Sequence, residues 1–594
     1  MKLTVKLFDF NIYNKSPCRR GGDDESESSD DEPTGIDENG NPVHPINQDK
    51  RVFEMQMFGI DEQGTTYCMF VDNFKPFFFV KVGDSWGEAQ RRAFLTEIKR
   101  NMGNYYKDAI CECKLVQRKK LYGFDNEKYH NFIYMSFETT IALNKAKYLW
   151  FNEGRLKSNG FVFKNVKTRI YESNIPPLLR YFHIQEISPS GWVEIDVYTN
   201  QREKYTTCTH EVRVNYKDVV PLNDKETMVP YKICSFDIEA SSSHGDFPVP
   251  VKSYKKLATN IIDITKDQLD ALSSDPAMED QLKTCIYAAF SVNGIDHNDV
   301  DKVFTKKKVS KDRIMTCLQK WIASSPSMKS ANMSEIRTIM AFMKTPEEVE
   351  AEAFGGGKWG KGGGGKKAKA NTIFDLVRST EYTYDDKINE LDASLMIHFP
   401  PLAGDKCTFI GSTFLKYGES TPYLNHCIVL DTCSEMKNVD NAELESYANE
   451  GDVLLAWTKI IQREDPDIII GYNIFGFDYG FMFERAKECG VTEPFLRLSR
   501  NALDVVADNG EPEICYTTVR TGVGAGSKDI ESSKIVLASG EHDLRYIKMN
   551  GRLQVDLYNY FRRDFNLPSY KLDYVAGQYI GDKVRNTRVE SGSG

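Results

Sequence analysis

The pattern of apolar and polar positions predicts strands at three places along this chain of 594 residues. Residues 1–10 alternate apolar and polar side chains, which is typical of a strand with one buried face. Residues 231–240, Tyr-Lys-Ile-Cys-Ser-Phe-Asp-Ile-Glu-Ala, have the pattern of a buried strand. The β-branched run Ile468–Ile470 lies between a proline and a glycine, which favours a core strand. Helical spacing over 453–461 and 481–489 predicts a helix on each side of that run.

Two carboxylates in the second of these strands are the first candidate for chemistry. Asp237 and Glu239 stand two positions apart, so both side chains project from one face of the strand. Like charges held this close resist ionising together unless a cation lies between them, and carboxylate oxygens suit Mg²⁺ or Mn²⁺. The alternative is a pair of solvated acids at a strand end. Asp478 falls near the start of the second predicted helix, where free N–H groups favour an anion, and its alternative role is a helix cap.

Several segments, taken in order, resemble the family B DNA polymerases. Phe236-Asp-Ile-Glu239 and Tyr472-Asn-Ile-Phe-Gly-Phe-Asp478 resemble the first and second exonuclease motifs of that family. Ser569–Ala576 is similar to the segment ahead of the family's third exonuclease motif, and Asn73–Val80 is similar to its amino-terminal aromatic cluster. Tyr171–Phe182 with Gly191–Val193 resembles the delta-type polymerases, and Ser241–Pro250 resembles the giant-virus branch. The chain is therefore identified as a member of this family, of a delta-like, giant-virus type.

The resemblance implies an α/β (α+β) protein with two domains. Residues 1–228 form a strand-rich α+β amino-terminal domain, interrupted by a disordered acidic loop at about 20–45. Residues 229–594 form a ribonuclease-H-like 3′–5′ exonuclease domain, a mixed sheet flanked by helices, which is incomplete at its carboxyl end. A glycine- and lysine-rich run at about 345–372 predicts a flexible insertion in that domain.

The resemblance also implies two-metal hydrolysis of a terminal phosphodiester of DNA. Asp237 would bridge two Mg²⁺ or Mn²⁺ ions, and Glu239 and Asp478 would each complete one coordination shell. Asn473 would help to position the DNA strand. Phe477 would pack near the terminal base, and core packing beneath the following helix is an equally open alternative for this ring.

Segments that the family needs for nucleotide addition are not found in the sequence. A Ser-Leu-Tyr-Pro-Ser-type segment, a fingers helix and a Tyr-Gly-Asp-Thr-Asp-Ser turn are missing, as is the Tyr-x-x-x-Asp segment with the fourth exonuclease carboxylate. Asp573 is a poor substitute, because its spacing from Tyr570 is one residue short. We expect the front portion of a longer replicative polymerase, which does not extend primers by itself. The alternative is a noncatalytic DNA-binding or regulatory module.

Charge is distributed unevenly in this sequence. The net charge is −10, and nine carboxylates without a lysine or arginine fall within Asp23–Glu38. Without those nine charges the remainder carries −1, so contacts with DNA must come from local basic clusters. Candidates are Arg118–Lys120 and Lys306–Lys308 with Lys311 and Arg313, for which a solvated surface is the alternative.

Composition also bounds the setting of the protein. No apolar run reaches the roughly 18 residues of a membrane span. Thirteen scattered cysteines favour reduced thiols and an intracellular protein, in the host nucleus or at a cytoplasmic site of viral replication. The implied partners are DNA, as a primer 3′ end and a single-stranded template, the remainder of the polymerase chain and a sliding clamp, without a membrane.

Overall fold

A computed structural model gives the fold of most of the chain. It describes in full residues 2–13, 53–104, 106–120, 125–151, 160–201, 204–242, 245–326, 370–434, 439–501 and 544–581, and the backbone alone of 35–36, 42–43, 531–537 and 540–543. The predicted acidic loop at 20–45 and the insertion at 345–372 therefore lie almost entirely outside the described residues. None of the described helices is long and apolar enough to cross a bilayer.

The first part of the chain forms two main sheets and three helices. In chain order its elements are β1 (Leu3–Tyr13), β2 (Gly35–Ile36), β3 (Pro42–Val43), β4 (Glu54–Ile60), β5 (Thr66–Asp72), β6 (Phe77–Lys81), α1 (Glu88–Met102), β7 (Ile110–Lys119), β8 (Tyr129–Phe137), α2 (Thr140–Lys147), β9 (Phe161–Phe163), β10 (Val166–Tyr171), α3 (Pro177–Gln185), β11 (Trp192–Ile195), β12 (Thr199–Asn200), β13 (His210–Asn215) and β14 (Val219–Leu222). One sheet has the order β12-β13-β5-β4-β1-β11-β14 and the other β7-β8-β6-β10-β9. The alternating burial of β1 agrees with the strand predicted at the start of the chain.

The second part contains the sheet that carries the candidate site. Its elements are β15 (Lys232–Ser241), α4 (Lys255–Lys266), α5 (Asp275–Ala289), α6 (Lys311–Ile322), α7 (Ile373–Arg378), α8 (Tyr384–His398), β16 (Lys406–Lys416), β17 (Leu424–Leu430), β18 (Ala442–Tyr447), α9 (Glu450–Glu464), β19 (Ile468–Gly471), α10 (Asp478–Cys489), α11 (Thr492–Phe495), β20 (Glu531–Leu537), β21 (Gly540–Tyr546), β22 (Leu553–Asp556), α12 (Leu557–Asp564) and α13 (Leu572–Tyr579). The chain passes from the first sheet to this part between Leu222 and Lys232. The predicted domain boundary at 228/229 falls in that interval and stays a prediction.

The central strand of the six-stranded sheet is β15. The sheet has the order β18-β17-β16-β15-β19-β22, with β15 antiparallel to β16 and parallel to β19. Helix α9 covers the sheet with Val453, Leu454 and Trp457, which are fully buried in one apolar core with residues of β15 and β16. This mixed sheet with packed helices confirms the predicted fold class.

Among the described residues between β15 and β16, five helices form a separate core that the sequence did not predict. Buried residues of α4–α8, among them Ile261, Leu282, Trp321 and Leu391, pack against one another. We name residues 251–403 the helical insertion. Its ends meet at a narrow neck, which joins Val249 and Pro250 to Gly404 and Asp405.

The neck is held by paired hydrogen bonds. The N–H of Asp405 donates to the carbonyl of Val249 at 2.9 Å, and the N–H of Val249 donates to Oδ2 of Asp405 at 2.9 Å. A Cβ atom on Gly404 would lie 1.8 Å from the carbonyl oxygen of Pro250. Only a glycine therefore allows this approach of the two chain segments.

The first sheet is also tied to the second part of the chain. Oδ2 of Asp9 accepts a hydrogen bond of 2.6 Å from the N–H of Gly551. Burial raises the pKa of Asp9 to about 6. Nearby, Nε2 of Gln56 donates to Oδ1 of Asn501 at 2.7 Å, and both residues are buried. These contacts fix the start of the chain against the segment that leads into β22.

Candidate active site

The face of β15 that carries the two predicted carboxylates is open to solvent. Asp237 and Glu239 are exposed, whereas Phe236 before them and Ile238 between them are buried. The ring of Phe236 packs against Trp457, with centroids 5.0 Å apart. Because the apolar residues anchor one face of the strand, the two acids must project from the other, as the sequence predicts.

Asp478 meets Asp237 just beyond the carboxyl end of β19, which pairs with β15. Asp478 is the first residue of α10 and is only 2% exposed. The two carboxyl groups lie within hydrogen-bonding reach of each other, and the N–H of Ile238 also donates towards both. Residues 241 positions apart in the sequence are thus brought into contact, because β15 and β19 are neighbours and α10 follows β19.

The two carboxyl groups resist ionisation in this arrangement. Burial raises the pKa of Asp478 well above its usual range, and the charge of Asp237 raises it further. The pKa of Asp237 is also raised, because the surrounding protein removes much of the water from its carboxyl group even though the residue as a whole is exposed. Oδ1 of Asp478 is buried and has no hydrogen-bond partner among the described residues. Paired carboxylates with an unpartnered buried oxygen fit a hard divalent cation, which takes oxygen ligands.

Glu239 is near this pair without joining it. Burial raises its pKa, and the charge of Asp237 contributes to the shift. Within the described part of the chain, no three His, Cys, Asp or Glu side chains form a group that could hold a metal ion. Positions i and i+2 of a strand are about 6.6 Å apart. The register also shifts by a bulge between Glu239 and Ala240, and bulges turn side chains away from their regular direction. The structure therefore assembles two of the three predicted ligands.

The loop between β19 and α10 contains the two residues predicted to contact DNA. Asn473 has a positive φ of 65°, and its carbonyl accepts hydrogen bonds from the N–H groups of Gly476 and Phe477. A Cβ atom on Gly476 would lie 2.3 Å from Oδ1 of Asn473, so the asparagine side chain lies over this glycine. The side chain of Asn473 is half-buried, and its role towards DNA stays a prediction.

Phe477 is half-buried and forms an aromatic cluster. Its ring centroid lies 5.4 Å from that of Phe247 and 5.3 Å from that of Phe481. Phe247 is 38% exposed, so the cluster reaches solvent on that side. Both alternatives of the sequence analysis, packing under the helix and stacking on a base, remain compatible with this position.

One residue that organises the loop was not found from the sequence. Asp556 ends β22 and is 3% exposed. Its Oδ1 accepts from the N–H of Asn473 at 2.9 Å and its Oδ2 from the N–H of Phe475 at 3.0 Å. It also caps α12 through the N–H of Tyr558 at 2.9 Å and accepts from Nδ2 of Asn559 at 3.0 Å. The signal available in the sequence was an aspartate directly before a helix, which indicates no more than a cap.

The other candidates from the sequence have different surroundings. Asp573 is exposed in the first turn of α13. In the predicted basic clusters, Lys119 pairs with Glu127, Lys120 pairs with Asp125 at 3.0 Å, and Lys306 pairs with Glu488 at 2.9 Å. Part of the positive charge offered to DNA is therefore neutralised within the chain. The cysteines of the described part are free thiols.

Comparisons with known proteins give similarities over almost the whole chain. The family model described as DNA polymerase family B, exonuclease domain, matches residues 168–326 and 392–575. The DNA polymerase of Phaeocystis pouchetii virus is 37% identical, over 99% of this chain and 55% of that protein. The DNA polymerase of Pyramimonas orientalis virus is 30% identical, over 89% and 40%. The DNA polymerase delta catalytic subunit of Schizosaccharomyces pombe is 20% identical, over 89% and 33%.

The chain spans about half or less of the length of these curated relatives. Among solved structures, the family B DNA polymerase of the archaeon Pyrobaculum calidifontis aligns with 89% of this chain and 38% of that one, at a TM-score of 0.38 and 14% identity. A likeness at that level does not bear on the fold. The matched family model leaves out 327–391, which includes α7 and most of α8 of the helical insertion.

Proposed function

Because the chain belongs to family B of the DNA polymerases and carries that family's exonuclease domain, we propose that it hydrolyses the terminal phosphodiester at the 3′ end of DNA. In the longer polymerase this activity serves proofreading during replication. The partners that follow from this role are the primer 3′ end, the single-stranded template, the remainder of the polymerase chain and a sliding clamp. The expected setting is a site of viral DNA replication inside the host cell.

The contact between Asp237 and Asp478 is the observation that carries the proposal. Two carboxyl groups from remote segments, both with raised pKa values, converge at the edge of the sheet. A structural role alone does not favour this contact, because holding two acids side by side, one of them buried, costs free energy. Sites that bind cations for catalysis have this property.

The residues of the chain have separable tasks in this proposal. Asp237 and Asp478 would hold the cations, and Glu239 would complete the ligand set from the same face of β15. Mg²⁺ or Mn²⁺, when bound as a pair, supplies positive charge at the scissile phosphate and at the attacking water. The N–H of Ile238 steadies both aspartates, and Asp556 holds the loop that bears Asn473 and Phe477. That loop would present the polar and aromatic contacts for the DNA strand.

Digestion of a 5′-labelled single-stranded oligonucleotide by the purified chain tests the proposal. With Mg²⁺ the label should appear in products shortened from the 3′ end, and EDTA should stop the reaction. Asp237→Asn and Asp478→Asn should each slow it by about 100-fold or more, because each metal ion contributes several kcal/mol. Asp573→Asn is the matched control, since it neutralises an exposed aspartate away from the pair. Equal rates in all four proteins would refute the site assignment.

One observation favours the second candidate, a noncatalytic DNA-binding module. The described residues bring together only two of the three predicted ligands. In that case the chain binds single-stranded DNA with micromolar or tighter affinity and shows no Mg²⁺-dependent cleavage. The same digestion assay, run beside a binding measurement in EDTA, separates the two functions.

A further inference from the structure

A cavity lies where the loop after β15 meets the helical insertion. Its volume is about 330 Å³. Phe247 of the loop, Leu257 of α4, and Val303 and Phe304 of the returning chain line it. This volume is at the lower end of the range for small-molecule pockets, which suits one nucleotide rather than two.

The lining offers an apolar floor with aromatic rings at the rim. Leu257 and Leu402 are almost fully buried, whereas Phe304 is 50% exposed and Phe247 38% exposed. Exposed aromatic rings beside an apolar cavity are suited to stacking on a flat heterocycle. A base of any identity could be accepted, because every base has an apolar face.

Lysines stand around the same opening. Nζ of Lys252 pairs with Asp405 at 2.5 Å, and Nζ of Lys256 pairs with Asp246 at 2.8 Å. The charges of these two lysines are therefore neutralised by aspartates that also line the cavity. Lys255 also lines the cavity and is exposed, and it has no ion-pair partner among the residues that the structure describes. The fourth lysine of the lining, Lys302, has its Nζ 3.9 Å from Oδ1 of Asp296. Lys255 is therefore the lysine that we assign to an anionic ligand.

The position of the cavity connects it with the candidate active site. The Phe247 ring at its rim contacts the ring of Phe477, and Phe477 directly precedes Asp478. The loop that forms this wall begins where β15 ends, after Asp237 and Glu239. An occupant of the cavity would thus lie beside the place where the proposed reaction occurs.

We propose that this cavity binds a nucleotide, with its base between the rings of Phe247 and Phe304 and its phosphate at Lys255. The inference rests on the proposed function for the origin of the ligand. A nucleoside 5′-monophosphate released by hydrolysis and an unpaired nucleotide of a DNA strand share this chemistry. The helical insertion supplies most of the binding residues, so it extends the exonuclease site.

Titration calorimetry in EDTA tests the binding without hydrolysis. Thymidine 5′-monophosphate should bind in a saturable manner, and thymidine should bind more weakly. Lys255→Gln should raise the Kd of the monophosphate about twofold to fivefold and leave that of thymidine unchanged. Phe304→Ser should raise both Kd values about fivefold or more, because it removes one stacking surface. Lys283→Gln, which changes an exposed lysine of α5 outside the lining, is the matched control.

Two further arms assign the source of the ligand and separate the two proposals. If oligothymidylate competes with the monophosphate and is weakened by the same variants, the cavity binds a nucleotide of the strand. If only the monophosphate binds, the cavity holds the product. Asp478→Asn should lose hydrolysis and keep the Kd of the monophosphate. Absence of saturable binding, or a Kd insensitive to both Lys255→Gln and Phe304→Ser, overturns the inference whatever the outcome of the digestion assay.

Discussion

Replacing Asp556 by alanine should loosen the loop that precedes Asp478. The carboxylate accepts four hydrogen bonds, two of them from the backbone N–H groups of Asn473 and Phe475. A buried donor left without an acceptor costs about 1–3 kcal/mol, and the loss of a helix cap costs about 0.5–2 kcal/mol. Burial raises the pKa of Asp556, which means that burying this carboxyl group costs free energy. The alanine variant does not have this cost, so part of the loss in stability is offset. We therefore expect a net loss of about 3 kcal/mol in local stability.

Hydrogen-exchange mass spectrometry of peptides covering 472–478 measures this loss directly. A local change of about 3 kcal/mol corresponds to roughly 100-fold faster exchange of the loop amides. Asp556→Asn should give an intermediate value. Its single side-chain oxygen can accept from one pair of donors, whereas its amide group faces the other pair as a further donor. Digestion of single-stranded DNA should slow in the same order, since the loop positions Asn473 and Phe477.

Asp573→Ala provides the control, because it removes an exposed aspartate from a neighbouring helix. Its exchange pattern over 472–478 should match that of the unchanged protein. If Asp556→Ala also leaves these peptides unchanged, the hydrogen bonds to the carboxylate do not hold the loop, and the role assigned to this residue is wrong.

The remaining predictions concern the paired carboxyl groups and the neck. Without metal, Asp478→Asn should raise the Tm by about 1 °C for each kcal/mol of repulsion removed, because the entropy of unfolding is large for a chain of this length. It should also abolish the increase in Tm that we expect Mg²⁺ to cause in the unchanged protein, and scanning fluorimetry measures both. The folded-state pKa values of Asp237 and Asp478 lie above the unfolded value of 3.8, so their contribution to stability is full below pH 3.8 and is lost as pH rises through the folded values. The Tm advantage of Asp478→Asn should therefore grow as pH rises above about 4, and an advantage that is constant with pH would contradict this reasoning. Gly404→Ala should destabilise the neck by about 3 kcal/mol or more, because its Cβ would overlap the carbonyl of Pro250. Hydrogen exchange of the amides around Val249 and Asp405 should become faster in this variant. Gly87→Ala is the control and should leave exchange unchanged, because a Cβ atom at Gly87 would lie 3.6 Å from its nearest neighbour.

The elements around the two aspartates could be predicted because their sequence patterns are local. The strand that carries Asp237 alternates buried and exposed positions over most of its length, and the run before Gly471 has β-branched residues between clear boundaries. Contact between Asp237 and Asp478 followed from a resemblance to a family. Periodicity alone predicts a strand with Asp237 and a helix that begins near Asp478, but it does not predict the distance between the two residues.

The helical insertion and Asp556 escaped prediction for different physical reasons. Between the two motifs the sequence predicted only a flexible glycine- and lysine-rich insertion at about 345–372, whereas α4–α8 bury their apolar faces against one another. Which helices pack together is a long-range property that single patterns do not show. Asp556 is the last residue of a strand of only four residues, which is too short for a clear period, and its loop partners lie about 80 positions earlier in the chain.

The position of Glu239 marks the limit of strand periodicity as a guide. Alternation places it correctly on the face of Asp237, but it fixes neither the rotamer of a long side chain nor the effect of the bulge that follows. Two side chains on the same face of a strand therefore need not bind the same metal ion.

The narrow attachment of residues 251–403 has a consequence for protein engineering. The backbone segments at Val249 and Asp405 already face each other across two hydrogen bonds, and the β15–β16 ladder itself holds the register of the two strands. Loop closure adds little free energy as an insert lengthens. A fluorescent reporter fused at these two points, in place of the native helices, would lie near the face of β15 that carries Asp237 and Glu239.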